Sequence, residues 1–325
     1  MRPSAAGPAV PPAARLALLV RLARMYHEEG LRQPEIAERT RISQSQVSRL
    51  LREAVEAGIV RTVVVSPEGV SADLEERVRE RLGLADVIVA SVDERDEEGL
   101  LRALGGAAAS YLSTTLLPSD RIGISSWSAS LLATVDAMVA RPGGRAREVV
   151  QLIGGIGVPE VQVQATRLAD RLARVTGAAP RFFPVPGIVG SAAARDAILA
   201  DPYLADLGAH WRRITVALVG IGAVEPSPLL ASSGNAVSRE DLEALVAAGA
   251  IGDICLRFFD AAGEPVATAL DGRVLGIPAG PLRGIPRTVA VAGGERKLAA
   301  IRAAALGGWI DVLVTDSRTA RALLG

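Results

Sequence analysis

The hydrophobic positions of this chain follow two periods. From Arg15, Leu16, Leu19, Val20, Ala23 and Tyr26 recur at helical spacing until Gly30 stops the pattern. Pro34, at a tolerated first-turn position, opens a short second helix that runs to Thr40. Ser43 and Gln46 stand at the spacing of a capping box, so a third helix is expected from there to about Ala57, ended by Gly58. In it Val47, Leu50, Leu51 and Ala54 share one face and must pack inward, which turns Ser45, Arg49 and Arg52 outward. IVRTVVVSP then alternates as a short strand, and SPEGVSA separates it from a further helix running from Asp73 to Leu82.

Beyond that point the period changes. Apolar runs (DVIVA, RIGIS, VVQLIG, ITVALVGIG, TVAVAGG, DVLVTD) alternate with Ala- and Leu-rich helical stretches. That alternation specifies an α/β fold, a parallel sheet covered by helices on both faces, doubly wound and Rossmann-like. The chain therefore divides into a proline-rich disordered tail at 1–14, a helix-turn-helix domain at 15–66 with a winged-helix-like strand, a linker at 67–73, and an α/β domain at 74–325.

Composition narrows the classes. With 49% hydrophobic residues among 325, both domains have enough apolar material for a core. Cys255 is the one cysteine, which excludes an internal disulfide framework and a cysteine metal cluster and makes a reducing cytoplasm the expected compartment. Arg21 interrupts the apolar run at Leu16 to Leu22, so no signal peptide is expected, and the 17 uncharged residues from Ala103 to Ser119 are too short and polar to span a membrane. Net charge is zero, but from Arg15 to Val65 nine arginines face six glutamates, leaving a basic module on an acidic body.

That basic module has the helix, tight turn and helix of a DNA-binding motif, whose second helix enters the major groove with its N-terminal residues at base edges. Gln44, Ser45, Gln46, Ser48, Arg49 and Arg52, with Gln33 at the start of the preceding helix, are the candidate DNA contacts. Gln and Arg suit bidentate contacts to adenine and guanine.

In the α/β part, four segments place glycine or small polar residues where a strand ends and a helix begins: Gly123 to Ser130, Gln151 to Gly155, Gly220 to Gly222, and Ala292 to Lys297. In open α/β sheets such loops converge on a ligand crevice, and helix N-termini there attract anions. Lys297 is the only lysine of 36 basic residues, and its compact ammonium would face the same crevice. None of these loops carries a dinucleotide or Walker A signature. His27 is expected at the surface or as a cap, His210 in a structural or interface role, and Cys255 as a buried apolar residue of a strand.

The segments EIAERTRISQSQVSRLLREAVEAGIV, GAIGDICLRFFDAAG and VAVAGGERKLAAIRAAALGGWIDVLVTDSRTA together resemble the SorC family of bacterial sugar-responsive transcriptional regulators, over essentially the whole chain from about Arg15. The resemblance implies an effector domain related to sugar-phosphate isomerases and deaminases, a sugar or phosphorylated sugar as signal, operator DNA as partner, and a homo-oligomer, a tetramer or dimer of dimers. It implies effector contacts at Ser125, Ser126, Trp127, Ser128 and Ser130, joined by Gln151, Gly154, Gly155, Asp253, Arg257 and Lys297. Where the family commonly has Trp-Gly followed by Thr, this chain has Trp127-Ser128-Ala129-Ser130. The rival expectation is an isomerase- or deaminase-like enzyme with an accessory DNA-binding module; it requires a histidine or carboxylate pair for acid–base work, and the chain supplies little. No cofactor or metal is expected.

Overall fold

Three helices carry the first unit of the computed structural model, which describes residues 13–60, 71–92, 97–140, 144–155, 159–225 and 237–325, with side chains left aside at 13 and 159–165. The expected tail up to residue 12, the wing strand from residue 61 and the linker up to residue 70 lie outside the described residues. By its internal contacts the chain divides into Met1–Pro67 and Glu68–Gly325.

In the first unit α1 (Ala13–His27), α2 (Gln33–Thr40) and α3 (Gln44–Glu56) bury Leu19, Leu22, Ile36, Val47, Leu51 and Ala54 in one core. Burying such a leucine or isoleucine is worth about 1.5–3 kcal/mol. The capping box forms: Ser43 Oγ accepts from the Gln46 N–H at 3.3 Å and Gln46 Oε1 accepts from the Ser43 N–H at 3.2 Å. The apolar face of α1 differs from the expectation, since Val20 and Tyr26 are exposed while Leu22 and Met25 are buried. The stripe that meets α3 runs through Leu19, Leu22 and Ala23, and Val20 stands outside it, about 100° round the helix from Leu19.

The second unit opens with α4 (Ala72–Leu82), β1 (Asp86–Ala90), α5 (Glu97–Thr115), β2 (Arg121–Ile124), α6 (Ala129–Ala137), β3 (Glu148–Gln151), α7 (Pro159–Thr176) and β4 (Ala179–Arg181). It continues through α8 (Ala192–Leu199), α9 (Pro202–Trp211), β5 (Val216–Val219), β6 (Gly222–Ala223), α10 (Arg239–Ala247), β7 (Gly252–Ile254) and β8 (Arg257–Phe259). It closes with α11 (Ala279–Arg283), β9 (Thr288–Val291), α12 (Leu298–Leu306), β10 (Val312–Asp316) and α13 (Ser317–Leu324).

Seven strands form one parallel sheet in the order β1-β10-β9-β5-β2-β3-β4. Alternation along each strand feeds two cores. Val289, Val291, Val312 and Val314 pack with Leu104, Leu131 and Leu168 of α5, α6 and α7, whereas Ala290 and Leu313 pack on the other face with Val78, Ile301 and Leu323 of α4, α12 and α13. The doubly wound expectation therefore holds. From β2 the chain steps to β3 and β4, returns past β2 to β5, and then steps away through β9 and β10. The strand order reverses at the β2–β5 boundary, which opens a crevice at the carboxyl ends.

A second sheet, β6-β7-β8, is antiparallel and stands after β5. Cys255 lies in the turn between β7 and β8, not within a strand as expected, although it is buried as expected. Cys255 and Leu256 both take positive φ, 55° and 59°, because a two-residue hairpin loop of this hand demands it at both positions.

Candidate functional site

The crevice at the carboxyl ends of the sheet contains a cavity of about 820 Å³. Its walls come from the loop after β2 (Ser125 to Ser130), the segment after β5 (Gly220 to Ala223), the segment after β9 (Ala292 to Lys297) and the β7–β8 turn. Glu97 and Leu100 of α5 and Arg318 and Thr319 at the start of α13 complete it.

Hydrogen bonds hold the serine-rich loop to the segment after β3 and to the end of β9. Ser126 Oγ donates to the Ile153 carbonyl at 2.9 Å, the Trp127 indole N–H to the Gly154 carbonyl at 3.2 Å, and Ser130 Oγ to the Val291 carbonyl at 2.8 Å. Ser128 caps α6 by accepting from the Leu131 N–H at 3.4 Å. The loop is thus fastened beyond β3 on one side and at the end of β9 on the other.

Among the charged groups that line this cavity, Lys297 and Asp253 are the two whose protonation burial shifts. Lys297 ends a single 3-10 turn, Glu295–Lys297, and precedes α12. Burial pushes its ammonium below the usual lysine range, against the pull of the Asp253 and Glu97 carboxylates, with Arg296 adding to the depression. Burial pushes the Asp253 carboxyl up to about 6, against the Leu256 N–H and Lys297. Asp253 Oδ2 accepts from that N–H at 2.9 Å, so the same carboxylate fastens the left-handed turn beneath it. A desolvated ammonium opposite a carboxyl that resists ionisation favours an incoming anion, while the carboxyl can bond a hydroxyl in either protonation state.

In the first unit, Gln44, Ser45, Gln46, Arg49 and Arg52 are exposed on α3, and Ser48 and Gln33 are half-buried. Arg49 and Arg52 form no ion pair among the described residues, whereas neighbouring Glu53 is held by Arg15 at 2.6 Å. The outward face therefore presents two unpaired guanidiniums. Gln46 has less freedom than the sequence implies, because its side-chain carbonyl serves the capping box.

Residues 67–325 match the Sugar-bind family of sugar-binding domains, and residues 19–69 match the MarR family. The chain is 32% identical to the deoxyribonucleoside regulator of Bacillus subtilis over 94% of its length and 97% of that protein. It is 31% identical to the sorbitol operon regulator of Klebsiella pneumoniae, over 94% and 97%. The crystal structure of that full-length Klebsiella regulator, SorC, superposes with a TM-score of 0.73 at 29% identity, covering 95% of this chain and 99% of the other.

The chain belongs to the SorC family. It is a sugar-responsive transcriptional regulator with a DNA-binding helix-turn-helix. Its relatives are transcriptional regulators, and none of its described helices is long and apolar enough to cross a membrane.

Of the effector contacts expected in this SorC-family chain, the fold brings Ser125, Ser126, Trp127, Ser128, Ser130, Asp253 and Lys297 to one cavity. It keeps Gln151, Gly154, Gly155 and Arg257 off the walls. Gln151 is buried, and its side-chain carbonyl accepts from the Phe183 N–H at 2.7 Å. A Cβ at Gly154 would meet the Pro186 carbonyl oxygen at 2.2 Å, so glycine there admits a crossing chain segment, and Gly155 beside it is also buried. The Arg257 guanidinium is buried on the carbonyls of Ile277 (2.9 Å) and Gly276 (3.1 Å) and on Asp271 (3.4 Å), where it clamps β8 to the 271–277 segment.

Sequence reasoning missed Glu97, Arg318 and Thr319. Asp316 at the end of β10 accepts from the N–H groups of Arg318 and Thr319, each at 2.9 Å, so the D-S-R-T capping pattern was a usable signal for the α13 start. Glu97, in an acidic run, carried none. His210 takes the expected structural role, with Nδ1 3.2 Å from Glu148 Oε2.

Proposed function

We propose that this regulator holds operator DNA through the outward face of α3 and changes that hold when a small hydroxyl-rich anion, of the sugar phosphate class, occupies the crevice. The observation that carries the reading is that Lys297 and Asp253 line the same cavity as the serine loop and feel each other's charge. A buried ammonium next to acceptor-rich groups suits a ligand that is anionic at one end and polyhydroxylated elsewhere. Residues 15–66 serve as the DNA-binding domain and 74–325 as the effector and oligomerisation domain. A cytoplasmic symmetric oligomer, a tetramer or dimer of dimers, reads paired half-sites upstream of a carbohydrate-utilisation operon, as paired helix-turn-helix units do. Effector and DNA affinities are then linked reciprocally.

The test is fluorescence anisotropy of a labelled fragment from upstream of the protein's own gene, at fixed salt, with and without a panel of sugars and sugar phosphates. Competitor-resistant binding that a sugar phosphate alters supports the reading. Specific DNA binding that no member of the panel alters removes the ligand half of it.

A further inference from the structure

Each helix of the first unit gives way to a left-handed residue, but not to the same residue type. The chain leaves α1 through Gly30 at φ 68° and α3 through Gly58 at φ 70°. At neither would a Cβ meet any atom within 4 Å, so glycine stands there for its conformation alone. α2 instead ends on Arg41, at φ 57° and ψ 36°. Its N–H closes the last turn on the carbonyls of Ala37 and Glu38, and the Ile42 N–H returns to Ala37 at 3.2 Å. Glycine would serve that turn equally well, whereas an arginine crowds its Cβ against the following carbonyl. No contact within the unit offsets this cost. Arg41 is exposed, and its guanidinium has no hydrogen bond or ion pair among the described residues. Arg15, Arg24 and Arg39 are by contrast occupied, by Glu53 at 2.6 Å, Glu28 at 3.7 Å and Glu29 at 2.9 Å.

Arg41 stands in the turn between the two helices of the DNA-binding motif, two residues before Ser43, the cap of α3. In such motifs the second helix meets base edges with its N-terminal residues, while the helix before it crosses the phosphate backbone. A cation at the corner between them lies beside phosphates. We propose, resting on the assignment of α3 as the recognition helix, that Arg41 is a positioning residue whose guanidinium holds a backbone phosphate at the edge of the groove that α3 enters. The left-handed position is kept as arginine for that contact, at the expense of the relaxed backbone that glycine would give. The contact has no base preference of its own; it fixes the register in which Gln44, Ser45 and Arg49 meet the bases.

The test uses the full chain and two labelled duplexes of equal length, the fragment upstream of the protein's own gene and a scrambled version of it, each titrated by anisotropy across a potassium chloride series. Arg41→Gly should weaken binding to both duplexes by a common factor of about tenfold, the value of one charge-assisted contact. The plot of log affinity against log salt should become shallower by about 0.9 for each helix-turn-helix unit on the DNA. Thermal unfolding of this variant should come no earlier than the parent's, since glycine relaxes the turn, so the lost affinity is not lost structure. Arg41→Lys should restore the salt slope, because a phosphate accepts any cation. An unchanged slope in Arg41→Gly overturns the proposal. So does a loss confined to the upstream fragment, which would make Arg41 a reader of bases, or earlier unfolding that lysine does not repair, which would make it a structural cap. If the parent binds both duplexes equally, base reading by α3 on this fragment fails, while the salt slopes on either duplex still decide the role of Arg41.

Discussion

A methyl group on Gly222 would stand 1.9 Å from Oδ1 of Asp253, its register partner across the β6–β7 pair. The carboxylate is therefore seated from two sides, by the bare Cα of Gly222 and by the Leu256 N–H that it accepts. Gly222→Ala must displace it. We expect this variant to fold and to bind DNA, but to need about tenfold to a hundredfold more effector, the loss of one charged hydrogen bond. A dose–response of operator binding measures the change, and an unaltered midpoint would remove Asp253 from effector recognition.

The pH response of the crevice follows from the same carboxyl. Its folded-state value, pushed up to about 6 by burial, lies above the unfolded value of about 3.9, so the folded protein holds the extra proton between the two. This contribution favours folding at the acid end, diminishes as pH rises through that window, and is constant above it. In the ligand-binding reaction, ionised Asp253 opposes an anion, and Lys297, itself pushed down by burial, loses charge as pH rises further. Neighbouring Cys255 stays neutral throughout, its thiol raised by burial. Affinity for an anionic effector should fall as pH rises through about 6. Asp253→Asn should flatten that part of the profile. Calorimetric titration of both proteins across the range isolates it from the ligand's own ionisation, and parallel profiles would contradict the assignment.

Much of this architecture was legible in the order of residues because it rests on local periods. The Ser43–Gln46 box, the inward face of α3 and the apolar strands of the parallel sheet each need only neighbours in sequence to be recognised. β4 was missed because three residues containing Pro180 at a sheet edge carry no strand period. The β7–β8 hairpin was missed because its two left-handed positions hold Cys255 and Leu256, where Gly or Asn would have marked the turn. Arg257 shows a deeper limit. A guanidinium near a ligand motif suits a ligand, but whether it meets a ligand or the carbonyls of Gly276 and Ile277 depends on how the distant 271–277 segment returns.

Stability and ligand response should separate at Glu148. This buried carboxylate, at the amino end of β3, faces Arg121 across the register and His210 from α9. Burial alone would raise its pKa, yet the hydrogen bonds from His210 and Arg121 hold it below the ordinary value. A depressed folded-state value means that its contribution is present above the unfolded pKa of about 4.3 and is lost as pH falls. Arg121→Met leaves a buried charge short of its partner and should cost about 3 kcal/mol in urea unfolding. Because the cluster lies at the opposite strand ends from the crevice, effector affinity of the folded variant should match the parent. A weakened effector response at full folding would show that the cluster is coupled to the site.

Arg49 offers the sharpest separation of the two units. It is exposed on α3 and forms no ion pair among the described residues, so its substitution leaves the three-helix core intact. Arg49→Ala should weaken operator binding by about 1–3 kcal/mol and leave effector affinity unchanged. Arg49→Lys then tells what the guanidinium touches. A phosphate contact is served by any cation, so lysine should restore both affinity and the salt dependence. A bidentate contact to a guanine edge needs the planar fork, so lysine should restore the salt slope and leave the discrimination between cognate and mutated half-sites diminished. We expect the second pattern, because Arg49 stands on the outward face of α3 in its second turn, next to the N-terminal residues with which a recognition helix meets base edges. Gln46→Ala is the contrasting control: its carbonyl caps α3, so any loss of DNA affinity should come with a lower melting temperature of the helical unit, by the roughly 1 kcal/mol that a cap contributes.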